Sequence, residues 1–344
     1  MSAALLTPIA RAATPPTPVY IALGDSYTSA PLTSKPAATW GGPDGYNNPD
    51  DPYTCGKSDR NYPHLIAQHL GLYNPNDLSK ELGQHPAHPG FIDISCGSAR
   101  TKHMTEAQTG LPGGGYQPPQ FSAFDHVGSN EVVTLVSIGI GGNDLGFGEL
   151  TDYCVQPPEK VGGTPCRTHY ENKDGVGDPT IQGDIIRHRL GVLRTSLDAV
   201  LAGIHARAPR AQVLVFGYPA LLPEHREGLT PELRDGCYPY VPILPTDAAY
   251  LRDAEKGLNT TIRTAAKAAA DGLTGRHFAH YVDWYRPSIG HDMCQPPGLA
   301  WVNGILLAPP SYPVHPNLLG TQGAATAGIG VLTHMRFNFS SPTH

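Results

Sequence analysis

The sequence predicts a three-layer α/β/α fold, with one mostly five-stranded parallel sheet between layers of helices. Three observations carry that expectation. Five short apolar runs, at 19–23, 91–95, 131–138, 212–216 and 277–282, have the length and composition of strands. Between them lie longer segments with helical periodicity. In the clearest, Ile186, Leu190, Leu193, Leu197, Val200 and Ile204 fall on one helical face. The run at 131–138 is nearly all apolar, as a parallel strand covered on both sides must be. Strands alternating with helices place helices on both faces of such a sheet.

Taken in order, residues 1–15 are mildly apolar and end near Ala10-Arg11-Ala12, which is similar to a signal-peptide cleavage site. They read as a signal-peptide remnant or a disordered tail. Residues 16–337 read as a single domain without repeat or linker. After the first strand, 30–60 is rich in Pro, Gly and Asn and reads as a long loop. A helix is expected over 61–70, and a Gly/Pro loop over 110–119. A polar insertion at 152–179 carries Cys154 and Cys166. Gly217-Tyr218-Pro219 closes the fourth strand, and a loop at 221–245 carries Cys237. A second long helix spans 246–272, with Leu251, Leu258, Ile262, Ala265 and Ala269 on one face. The alanine-rich segment from Gly320 reads as the last helix.

Composition narrows the function. The 344 residues are ample for a buried core, and the net charge of −6 gives no reason to expect nucleic acid. The 39 glycines and 35 prolines are about a fifth of the chain, well above the ~12% of average usage. They interleave with periodic apolar runs, so they mark ordered loops on a globular domain. Of 16 histidines most are scattered. His85-Pro86-Ala87-His88 lacks nearby cysteine or acid ligands and reads as a surface loop rather than a metal site. Six cysteines without a C-x-x-C pair suggest disulfides and an oxidising compartment, with the pairing open. Cys154 and Cys166 bracket a Pro/Gly-rich loop that is hard to stabilise otherwise. No apolar run approaches the ~18 residues of a membrane span.

The chemistry centres on Gly24-Asp25-Ser26-Tyr27-Thr28-Ser29, directly after the first strand. Glycine permits a sharp turn there. A serine just past a strand end can project its hydroxyl from the carboxyl edge of the sheet, where open α/β sheets bind ligands. Alone, Ser26 would read as a helix N-cap. As a nucleophile it needs a base. His315, in Tyr312-Pro313-Val314-His315-Pro316-Asn317, supplies the candidate; alone it would read as a solvated loop residue. Gly139-Ile140-Gly141-Gly142-Asn143-Asp144 follows the third strand. Asn143 either supports a turn or donates to an oxyanion. Asp25 is expected to hold the turn. No G-x-S-x-G is present, against the α/β-hydrolase elbow.

Together these residues resemble the SGNH (GDSL-type) hydrolases, in their secreted actinobacterial lipase/esterase branch. Gly24-Asp25-Ser26 matches the first block, Cys96-Gly97-Ser98-Ala99 loosely the second, Gly142-Asn143-Asp144 the third and His315-Pro316 the last. The blocks run in family order from about Val19 to Gly320. The resemblance implies a flavodoxin-like sheet and a secreted serine ester hydrolase without cofactor or metal. Ser26 would be the nucleophile and His315 the base. Ser26 N–H, Ser98 N–H and the Asn143 side chain would form the oxyanion hole. It also implies sequential disulfides, Cys55–Cys96, Cys154–Cys166 and Cys237–Cys294. Two departures stand out. Ser98 occupies the position where the family prefers glycine, with Gly97 one place early, so either N–H could serve. Tyr312 replaces the aspartate usual three residues before the histidine. Its carbonyl is the expected orienter of His315, with Asp283 and Asp292 as rivals. The segments His291-Asp292-Met293-Cys294 and Trp301-Val302-Asn303-Gly304 are assigned to loop packing. The expected partner is a small-molecule or lipid ester, acted on by a monomer with no stable membrane anchor. Lipase, phospholipase, short-chain esterase and carbohydrate deacetylase remain open. An acyltransferase or a non-enzymatic binding protein on the same fold are the competing readings.

Overall fold

The computed structural model describes residues 15–33, 55–74, 90–111, 115–155, 164–172, 178–224, 237, 240–272, 278–306 and 312–339. Five strands form one parallel sheet: β1 (Thr17–Gly24), β2 (Phe91–Asp93), β5 (Glu131–Gly139), β6 (Gln212–Phe216) and β7 (Ala279–Val282). Their order is β2-β1-β5-β6-β7. The chain first steps from β1 to β2, then crosses back over β1 to β5. The strand order therefore reverses beside the carboxyl ends of β1 and β5, where open α/β sheets bind ligands. Val19, Tyr20, Ile21, Ala22 and Leu23 of β1 are fully buried, and so are Leu135 and Val136 of β5. Their pairing runs from Thr17 opposite Glu131 to Gly24 opposite Gly139.

Two helix pairs cover the sheet. In one, α6 (Ile185–Arg207) packs on α7 (Pro245–Gly272); in the other, α2 (Tyr62–His69) packs on α8 (Leu318–His334). The expected face of α6 is the buried one, including Leu193, Leu197, Val200 and Ile204. Asn61 caps α2 through His64 N–H, and Asn317 caps α8 through Leu319 and Gly320 N–H.

The structure differs from expectation in several places. Part of 110–119 is not loop: β3 (Gln108–Leu111) and β4 (Gly115–Gln117) form an antiparallel pair. One end buries two glutamines, Gln108 and Gln117, and the other buries Leu111 alone, so no apolar alternation announces it. The second strand stops at Asp93 rather than residue 95. Single bonds from Ile94 N–H to Ala22 O and from Cys96 N–H to Gly24 O still carry the chain along β1. Short helices α1 (Ser26–Ser29), α3 (Gly142–Leu145), α4 (Phe147–Cys154) and α5 (Cys166–Tyr170) lie below the length at which periodicity speaks. The three disulfides pair sequentially, with Cα–Cα distances of 4.3, 5.3 and 4.5 Å. The tail 1–14 and His85-Pro86-Ala87-His88 lie outside the described residues.

Candidate active site

Ser26 opens α1 at the end of the central strand. Gly24 has φ +147°, and a Cβ there would lie 2.6 Å from Gly139 O, so only glycine fits. The Gln120 amide brackets Gly24, accepting from its N–H at 2.7 Å and donating to its carbonyl at 2.8 Å. Asp25 holds the turn as expected. Its N–H donates to Gly139 O at 3.0 Å. Its carboxylate accepts from Tyr27 N–H at 2.9 Å and from the Tyr218 hydroxyl. Burial pushes the Asp25 carboxyl up to about 7, against the lowering effect of those two hydrogen bonds.

His315 meets Ser26, with Nε2 2.8 Å from the serine Oγ. The other ring nitrogen, Nδ1, lies 2.8 Å from a backbone carbonyl. A carbonyl can only accept, so Nδ1 carries the proton and Nε2 is left to accept from the serine. That carbonyl belongs to Pro313, not to Tyr312 as expected. The reason is local: Val314 has φ +59°. This left-handed residue turns the chain so that the Pro313 carbonyl faces the ring. The Tyr312 carbonyl instead accepts from Asn303 Nδ2 at 3.3 Å. Its exposed ring stands edge-on to His315, with centroids 4.9 Å apart. Asp283 accepts from Arg286 N–H, and Asp292 from Cys294 N–H and the Gln295 amide. Burial lowers the His315 pKa to about 4, opposed only in part by the Pro313 carbonyl.

Asn143 lies in the first turn of α3, past the end of β5. Its Nδ2 donates to Ala99 O at 2.9 Å, and the neighbouring Asp144 carboxylate accepts from Thr101 N–H and hydroxyl. These bonds stitch the Cys96–Ala99 turn to the oxyanion candidate. The Cys55–Cys96 bridge fixes the same turn, and Gly97 N–H is engaged by Cys55 O at 2.9 Å. Ser98 is left-handed, with φ +61°. Among the described residues nothing accepts from Ser98 N–H or Ser26 N–H. Of the two N–H groups left open by the sequence, Ser98 is thus the one available. Tyr218, which sequence reading passed over, joins the two halves: its hydroxyl donates to Asp25 and accepts from Gly142 N–H at 2.8 Å. Nothing in a single sequence flags Tyr218, Gln120 or Pro313, since their roles come from contacts across the fold.

An apolar cleft lies against this constellation. Its lining includes Leu145, Leu150, Leu222, Leu258 and Glu255, together with Gly142 and Val314, neighbours of Asn143 and His315. Among the described residues no group of three or more His, Cys, Asp or Glu could hold a metal ion. No described helix is long and apolar enough to cross a membrane.

Residues 22–322 match the model of the GDSL-like lipase/acylhydrolase family. A Streptomyces coelicolor protein named Lipase 2 is 32% identical over 323 residues, covering 92% of this chain and 86% of that protein. Two solved structures share the fold, each with a TM-score of 0.55 over 92% of this chain and 99% of its own. They are a phospholipase A1 from Streptomyces albidoflavus, at 20% identity, and an extracellular lipase from Streptomyces rimosus, at 23%. Fold, site and relatives define a carboxylic ester hydrolase of the lipase/esterase kind. The chain belongs to the GDSL-like lipase/acylhydrolase family.

Proposed function

We propose that the protein is a secreted esterase or lipase that cleaves carboxylic esters through an acyl-Ser26 intermediate. The observation that carries this reading is the 2.8 Å contact from Ser26 Oγ to a His315 ring whose other nitrogen is held by a carbonyl. Ser26 Oγ attacks the ester carbonyl carbon while its proton passes to His315 Nε2. The carbonyl oxygen becomes an oxyanion, held by Ser26 N–H, Ser98 N–H and Asn143 Nδ2. His315 returns the proton to the departing alcohol. Water, activated by the same imidazole, then releases the acid from Ser26. An imidazole that titrates near 4 is unprotonated at neutral pH, so the base is ready to act.

Three disulfides support an oxidising, extracellular location. One main hydrophobic core runs through most of the described elements, which supports a single domain over 16–337; the expected state is a monomer. The test is reaction with a fluorophosphonate probe, followed by peptide mapping, beside hydrolysis of a chain-length series of p-nitrophenyl esters. Stoichiometric label on Ser26, abolished together with hydrolysis by Ser26→Ala, is expected. Hydrolysis that survives Ser26→Ala would end the reading.

A further inference from the structure

Val314 is in the left-handed region, an outlier for a β-branched residue. Such a conformation persists only where its surroundings over-determine it. Both peptide groups of Val314 are held. Its N–H donates to Asn303 O at 2.9 Å, and Asn303 N–H donates to His315 O at 3.0 Å. Its carbonyl accepts from the Tyr27 hydroxyl at 2.6 Å. Tyr27 is itself buried, edge-on to Phe147 and Tyr218, with its ring 5.1 Å from the His315 ring. The residue after Ser26 therefore grips the residue before His315. Without that bond, only the Asn303 pairing would hold Val314 at positive φ with the Pro313 carbonyl on Nδ1.

We propose that Tyr27 is a positioning residue for His315. Its hydroxyl holds the strained Val314 peptide and so keeps the Pro313 carbonyl on the imidazole, the task a carboxylate performs in a triad. The proposal rests on the Ser26–His315 reading above. It makes the orienting device a tyrosine acting through the main chain, and it ties both members of the pair to one side chain.

Tyr27→Phe removes only the hydroxyl. It should lower kcat by about 10- to 100-fold, the scale of a small misplacement at a reacting centre, with KM little changed. A downfield Nδ1–H proton resonance of His315 is expected in the parent and should broaden or vanish in the variant. Glycine adopts φ above zero without strain, so Val314→Gly makes the turn less dependent on the hydroxyl. The kcat loss on Tyr27→Phe should accordingly be smaller in the Val314→Gly background. A purely structural tyrosine would lower the melting temperature in both backgrounds and leave kcat per folded enzyme alone. An unchanged kcat and an unchanged resonance in Tyr27→Phe would overturn the proposal, as would equal kcat losses in the two backgrounds. Ser26→Ala runs alongside. If it is inactive while Tyr27→Phe is normal, the clamp alone is wrong; if it is active, the underlying site assignment is wrong.

Discussion

Ser26 and His315 reach the same point from opposite kinds of structure. Ser26 sits at the end of β1, in the middle of the sheet, and its turn is tied to β5 by Asp25 N–H and by the Thr28 hydroxyl. His315 lies off the sheet, in the segment leading to α8. It is held by a short antiparallel pairing of Val302 with Pro316 and by hydrogen bonds from Asn303 and Tyr27. The serine side is rigid because regular structure makes it so. The histidine side is rigid only through tertiary hydrogen bonds, one of them closed across a sequence separation of 287. The nucleophile's turn grows out of a paired strand and is then trimmed by Gln120 and Tyr218, whereas the loop base depends on such holders from the start. The cost appears as a strained valine.

The largest expected effects fall equally on the two sides. Ser26→Ala and His315→Ala should each lower kcat by about 10⁶, because a nucleophile and its base act as one unit. Active-site titration alongside steady-state kinetics checks this; a His315→Ala enzyme with a tenth of parent activity would break the pairing. Asn143→Ala comes next, on the sheet side. One oxyanion donor is worth about 10²–10³ in kcat. KM should move less, because the amide meets the charged intermediate better than the neutral ester. Equal changes in kcat and KM with each ester tested would remove Asn143 from the oxyanion hole.

The smallest effects sharpen the contrast most. Asp283→Asn and Asp292→Asn should each change kcat only a few-fold, since a carbonyl already occupies Nδ1. An enzyme relying on either carboxylate would lose about 10⁴. A loss of that size with an unchanged melting temperature would name a third catalytic member.

What was legible in the sequence follows the same divide. β1, β5, β6 and both long helices announce themselves through apolar runs and periodicity. Ser26, Asn143 and His315 are visible because they fall in blocks that stand in the order of a known family; taken singly, each also has a structural reading. The orienter was misplaced by one residue for a physical reason. Every residue has a carbonyl, so residue type cannot say which one faces the ring. Here the choice is made by φ at Val314, and valine gives no sign of a left-handed turn. Tyr27 was in plain view beside Ser26, but its hydroxyl finds its acceptor only in the folded chain. The pair β3 and β4 stayed hidden because Leu111 is its one buried apolar residue, the others being Gln108 and Gln117.

The pH dependence of kcat/KM bears most directly on a histidine held by main chain rather than by a carboxylate. The imidazole must be unprotonated to accept from Ser26, so activity falls as pH drops through its pKa, and kcat/KM reports that of the free enzyme. Burial lowers this value from 6.5 to about 4, with only the Pro313 carbonyl pulling the other way. Asp25 titrates near 7 and hydrogen-bonds to Tyr27 N–H and Tyr218, so the profile is measured in the parent and in Asp25→Asn. The acid limb should reach half-height near pH 4 in both. A half-height well above pH 6.5 in both would mean that a negative charge supports His315, and would contradict a histidine held by main chain alone.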